Sequence, residues 1–158
     1  MWKNGIATHL TNEAGTYASS VFVSGKDVYI VGTKYTVPHK SVAILWKNGV
    51  STNLTSENNN ATATSVFVSG NDVYVAGNEG VGFRNPIAKV WKNGKATNLS
   101  DVNSYGWASS VFVFDNDVYV VGTERISFNY DVAKLWKNGV STNLSTENGG
   151  AFSVFVVK

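Results

Sequence analysis

The chain has no cysteine, only two histidines and only two prolines in 158 residues. Without cysteine there are no disulfides and no thiolate metal sites, and the redox compartment stays open. The histidines, His9 and His39, sit in unrelated parts of the sequence and lack metal-ligand spacing. No apolar run approaches the roughly 20 residues that a membrane-spanning helix needs. Charge is also sparse: 13 Lys and Arg against 11 Asp and Glu leave a formal +2, spread along the chain. The concentrated basic stripe of a nucleic-acid surface is therefore missing. Met1 is followed at once by Trp2-Lys3-Asn4-Gly5, which is not a signal peptide. The expected location is cytoplasmic if the chain is complete; otherwise a targeting segment lies outside this sequence.

What is abundant is apolar and aromatic. At 43% hydrophobic and 13% aromatic residues, a chain of this length can bury the core of one domain, a composition that argues against disorder. Those residues recur. "WKNG" opens at Trp2, Trp46, Trp91 and Trp136, at intervals of 44, 45 and 45, and "LWKNGVSTNL" occurs twice unchanged, at Leu45–Leu54 and Leu135–Leu144. In step with it run "SVFVSGKDVYIVG" (20–32), "SVFVSGNDVYVAG" (65–77) and "SVFVFDNDVYVVG" (110–122), then a truncated "SVFVVK" from Ser153. The chain is one repeat domain, 1–158, with units at 2–45, 46–90 and 91–135 and a partial unit at 136–158.

Each unit reads as two hairpins. Val66–Ser69 meets Val73–Ala76 through Gly70-Asn71-Asp72, and Ala133–Lys137 meets Val140–Leu144 around Asn138-Gly139. Asn-Gly between strand-like runs signals a type I′ turn, which needs positive φ at both central residues. Four antiparallel strands every ~45 residues fit the blades of a β-propeller. In "SVFV" and "DVYVV" consecutive residues are apolar, so both faces of those strands need cover, as neighbouring blades supply. "VSTNL" alternates, as a half-exposed outer strand should. The expected class is an all-β propeller of about three and a half repeats. The alternative is a β-trefoil, which needs three units rather than three and a half and buries mainly one strand face.

The unit "SVFVSGNDVYVAG…VAKLWKNGVSTNL" resembles the repeats of bacterial multi-blade β-propeller proteins, over the whole chain. That resemblance implies an architecture and little about activity, because propellers host many unrelated functions. Near-identical units also fit recent duplication, or an engineered or reconstructed repeat sequence.

Three complete blades are expected at about 18–55, 63–100 and 108–145. The ends are half units: Trp2-Lys3 and Ile6–Leu10 supply third and fourth strands, and Ser153–Val157 an inner strand. Their pairing, within one chain or between copies, would close the ring, with the second strand of the composite blade missing. A homo-oligomer is the expected state.

Function is expected on the variable connections at 33–41, 78–86 and 123–131 and the inter-blade loops, because the hairpin turns are nearly constant. Tyr105, Trp107, Phe128 and Tyr130 are expected in loops of the third unit, with Arg125, Asn103 and Asn129 nearby. Flat aromatic faces beside amides suit a glycan or another small polar ligand. The bland reading is that these aromatics pack on blade ends. Position 107 aligns with Tyr17, Thr62 and Gly150, so such a site would not repeat evenly. Asp115-Asn116-Asp117 offers too few oxygens for calcium and reads as a turn. Lys3, Lys47, Lys92 and Lys137 form a ring of charge that deters edge pairing. Glu79, Glu124, Asp101 and Asp131 are the acid–base candidates, expected in loops and without visible partners; no catalytic motif accompanies them. The expectation is a non-catalytic scaffold without cofactor, nucleic acid or membrane. Its alternative is a lectin-like propeller, and a hydrolase is the third class.

Overall fold

Alternating Val, Phe and Tyr with turn residues at fixed offsets produce strands throughout. The computed structural model describes residues 2–3, 5–7, 9–36, 40–80 and 86–158, with the backbone alone at 2–3. The described residues contain no helix. After a short hairpin, β1 (Trp2–Lys3) and β2 (Ile6–Ala7), come three four-stranded meanders. The first is β3 (Thr16–Ser24), β4 (Asp27–Thr36), β5 (Lys40–Lys47) and β6 (Val50–Asn53). The second is β7 (Asn60–Ser69), β8 (Asp72–Gly80), β9 (Ile87–Lys92) and β10 (Lys95–Asn98). The third is β11 (Tyr105–Phe114), β12 (Asp117–Ser127), β13 (Tyr130–Lys137) and β14 (Val140–Asn143). Within each meander, sequential strands pair antiparallel.

Between units, backbone pairing almost vanishes. One parallel bridge, Ser41 to Asn60, joins the first two meanders into an eight-stranded sheet, and the third stands as its own sheet. Among the described residues, no antiparallel ladder is shared between units. Side chains hold the units together instead. Tyr29, Val31 and Ala43 of the first pack on Val66, Val68, Val75 and Trp91 of the second. Tyr74, Ala76 and Ala88 then pack on Val111, Val113, Val120 and Trp136 of the third. Leu10 packs the same way on Ile30, Ile44 and Trp46, the opposite face of the first unit.

The second hairpins turn as their Asn-Gly dipeptides require: φ is 52°, 51° and 52° at Asn48, Asn93 and Asn138, and 85°, 81° and 83° at the following glycines. In the first hairpins Gly25 (59°) and Gly70 (58°) are followed by ordinary φ, a type II′ pattern, whereas Asp115 (48°) and Asn116 (67°) are both positive, a type I′ pattern.

Two expectations are corrected. The outer strands are exposed on both faces rather than half-buried, with Val50 at 72% and Val140 at 71%, because neighbouring units do not reach out to the fourth strand. The C-terminal segment expected as a strand at 153–157 joins no sheet, having no strand beside it to complete a ladder. It lies against the third unit nonetheless: Ala151 N donates to Gly122 O at 3.2 Å and Val154 N to Ser110 Oγ at 3.3 Å. The result is a row of rings, Phe22, Phe67, Phe112 and Phe155, with successive centroids 4.8, 4.7 and 5.0 Å apart.

Candidate functional site

The expected loop aromatics of the third unit do not lie in loops. Tyr105 and Trp107 belong to β11, Arg125 to β12 and Tyr130 to β13; only Phe128 occupies the two-residue turn between β12 and β13. The hairpin runs on past the core because polar cross-strand partners carry it, with Tyr105 opposite Arg125 and Arg125 opposite Asp131.

The strands gather four of these residues. Arg125 donates to Asp131 through Nε at 2.7 Å and Nη2 at 3.1 Å, a bidentate pair. Its guanidinium stands 5.5 Å from the Trp107 ring centre and 5.8 Å from that of Tyr105. The hydrogen-bonded guanidinium holds the Asp131 carboxyl below the usual carboxylate range, and the carboxylate in turn raises Arg125. The aromatic faces are therefore already occupied by a cation whose charge is neutralised. Tyr130 points elsewhere, donating its hydroxyl to Thr146 O, and Phe128 is 93% exposed with no part in the cluster.

The candidate acid–base residues are also strand residues with partners, contrary to expectation, save Asp101. Glu79 (β8) accepts from Lys89 at 2.5 Å and Glu124 (β12) pairs with Lys134 at 2.9 Å, each pair nearly buried. Asp101 shapes a turn, accepting from Asn103 N at 2.8 Å. In each of these three pairs, Glu79 with Lys89, Glu124 with Lys134 and Asp131 with Arg125, the carboxylate is engaged across neighbouring strands.

Lys47, Lys92 and Lys137 pair with Asp27, Asp72 and Asp117 at 2.9, 2.7 and 2.6 Å. Each ammonium also sits over Tyr29, Tyr74 or Tyr119, at 5.2 to 5.3 Å. The Lys3 side chain lies outside the described residues, as does His39. His9 is exposed. Among the described residues, no group of three or more His, Asp or Glu is placed to hold a metal ion.

Two clefts lie apart from this cluster, lined by other residues. One, of about 770 Å³, runs along the uncovered face of the first unit past Val21, Val23, Val28 and Ile30. The other, of about 660 Å³, lies between the first and second units and is walled by Tyr17, Tyr35 and small hydroxyl residues. Sequence reasoning placed neither. Tyr17 aligns with Trp107, and Tyr35 with Arg125, so aligning β3 and β4 onto β11 and β12 would have brought the pair out. No protein-family model matches the chain, and no curated protein matches it either.

Proposed function

We propose that the chain is a non-catalytic β-propeller scaffold whose ring closes head to tail with a second copy, leaving a variable face for ligands. One observation carries this reading. Val21 and Val23 are 59% and 61% exposed, whereas their counterparts Val66, Val68, Val111 and Val113 are only 4, 7, 4 and 6% exposed. At the other end of the row Phe155 and Val157 are 75% and 72% exposed.

The two bare flanks complement each other by repeat logic. Phe22 packs on the cluster holding Val66 and Val68, and Phe67 on the one holding Val111 and Val113. Phe155 of one copy is equivalently set to pack on Val21 and Val23 of the next. A contact of one surface with a different surface generates a ring when the rotation closes, and two copies give eight units. The β1–β2 hairpin and the C-terminal segment then form the composite units. Size-exclusion chromatography with light scattering tests the reading: the expected mass is a small multiple of the 17.0 kDa chain. A single-chain mass at all micromolar concentrations overturns it.

A further inference from the structure

The cleft between the first two units has a composition that selects a ligand class. Tyr17 and Tyr35 meet edge to face, with ring centroids 5.6 Å apart and planes at 82°. They remain 63% and 55% exposed, and neither hydroxyl bonds to a described residue. The hydroxyls of Ser19 and Thr33 line the same cleft and make no hydrogen bond with a described residue. Opposite stands Thr62, whose hydroxyl donates to Asn78 Oδ1 at 2.8 Å and keeps its acceptor capacity. Among the described residues, no carboxylate, ammonium or guanidinium lines the cleft.

The equivalent positions elsewhere lack this character. In the second unit they are Thr62 and Gly80, with no ring at all. In the third they are Trp107 and Arg125, where the guanidinium covers the indole. Among the described residues, only the first unit presents two uncovered rings at this level.

We propose that the Tyr17–Tyr35 cleft binds a neutral saccharide. A pyranose ring has one face of C–H groups, which packs on a flat aromatic face, and a rim of hydroxyls, which needs donors and acceptors in equal supply. Tyrosine and threonine hydroxyls act as both. With no cationic side chain among its described lining residues, the cleft has nothing there to compensate the carboxylate or sulfate of an acidic sugar. The cleft lies between units that are already in contact, so this site does not depend on ring closure.

The test is a glycan array of neutral and acidic saccharides probed with the full-length chain, followed by calorimetric titration of the best-retained neutral glycan. The expected result is retention of neutral glycans. Tyr17→Ala and Tyr35→Ala should each weaken binding about tenfold, the effect of losing one aromatic contact. Trp107→Ala should leave the affinity within about twofold. Light scattering of both tyrosine variants should give the parent mass, which separates this site from the assembly contact. The proposal is overturned by an array that retains no neutral glycan, by preference for acidic glycans, or by tyrosine variants of parental affinity. Loss of binding in Trp107→Ala alone also overturns it, moving the site to the third unit.

Discussion

The amide of Val154 donates to Ser110 Oγ at 3.3 Å, one unit beyond the same bonds from Val111 to Ser65 at 3.2 Å and from Val66 to Ser20 at 3.3 Å. The C-terminal segment therefore rests on the third unit as β11 rests on the second, although it has no sheet of its own. The series is open at both ends: Val21 begins it and Ser153 follows its last member. In the proposed ring, Val21 N of one copy donates to Ser153 Oγ of another.

That relationship separates two valines that look identical in sequence. Val23→Lys, at a 61% exposed position, should alter the stability of an isolated chain by no more than about 0.5 kcal/mol and return the assembly to single-chain mass. Val68→Lys, at a 7% exposed position, buries a charge between units and should unfold the protein. Light scattering and thermal melts distinguish the two. An unchanged assembly mass for Val23→Lys removes this flank as the contact.

Gly77 is a second point of discrimination. Its Cβ position lies 2.0 Å from Thr62 O, because the bulge between Ala63 and Ser65 drives the β7 backbone onto β8. Gly32 and Gly122 face Tyr17 O and Trp107 O at 1.9 Å in the same way. A methyl there must displace a strand, so Gly77→Ala should lower stability by several kcal/mol or prevent folding. Gly70→Ala meets open space and only the strain of φ 58°, about 1–2 kcal/mol. Urea titration of both variants checks the ordering.

These glycines mark where the sequence stopped being readable. The repeats and the Asn-Gly turns gave the four strands of each complete unit and the hairpin register, since each rests on a local rule with a physical cause, though the C-terminal segment expected as a strand joins no sheet. The bulge did not announce itself: it rephases the alternation at Ser65 and at its counterpart Ser110, so strand positions before the latter, such as Tyr105 and Trp107, looked like loop residues. The same blindness hid the cleft. Tyr17 and Tyr35 are eighteen positions apart, and only the pairing of Tyr17 with Thr33 beside Tyr35 brings them together.

Trp91 and Trp136 are 1% and 0% exposed, and neither indole N–H has a hydrogen-bond partner among the described residues. Replacement by alanine should lower stability by about 3–5 kcal/mol through the cavity left behind. Replacement by phenylalanine leaves a smaller cavity and removes a buried donor whose desolvation costs about 1–3 kcal/mol, so it should lose distinctly less. Chemical denaturation of the Phe and Ala variants at both positions measures the difference. Equal losses would mean that the N–H is satisfied in solution and that ring volume alone does not set the packing.

The hairpin turns carry the pH dependence. Asp27 is held below the ordinary carboxylate range chiefly by Asn48 Nδ2 at 2.8 Å, then by Lys47; for Asp72 and Asp117 the lysines Lys92 and Lys137 lead. A carboxylate depressed in the folded state stabilises the fold above its unfolded value, near pH 4, and loses that contribution as pH falls through the lower native values. The lysines are raised by the same carboxylates, so their contribution is full below about pH 10 and fades only as pH rises through the native values. These pairs should therefore leave stability flat across neutral pH and make it fall below pH 4. The triple variant Asp27→Asn, Asp72→Asn, Asp117→Asn should shallow that acid limb, measured as urea midpoints between pH 2 and pH 6. The asparagines at the turns keep their bonds to Val28, Val73 and Val118, so the hairpins themselves should persist. An acid limb as steep as the parent's would assign the titration to the Arg125-paired Asp131 instead.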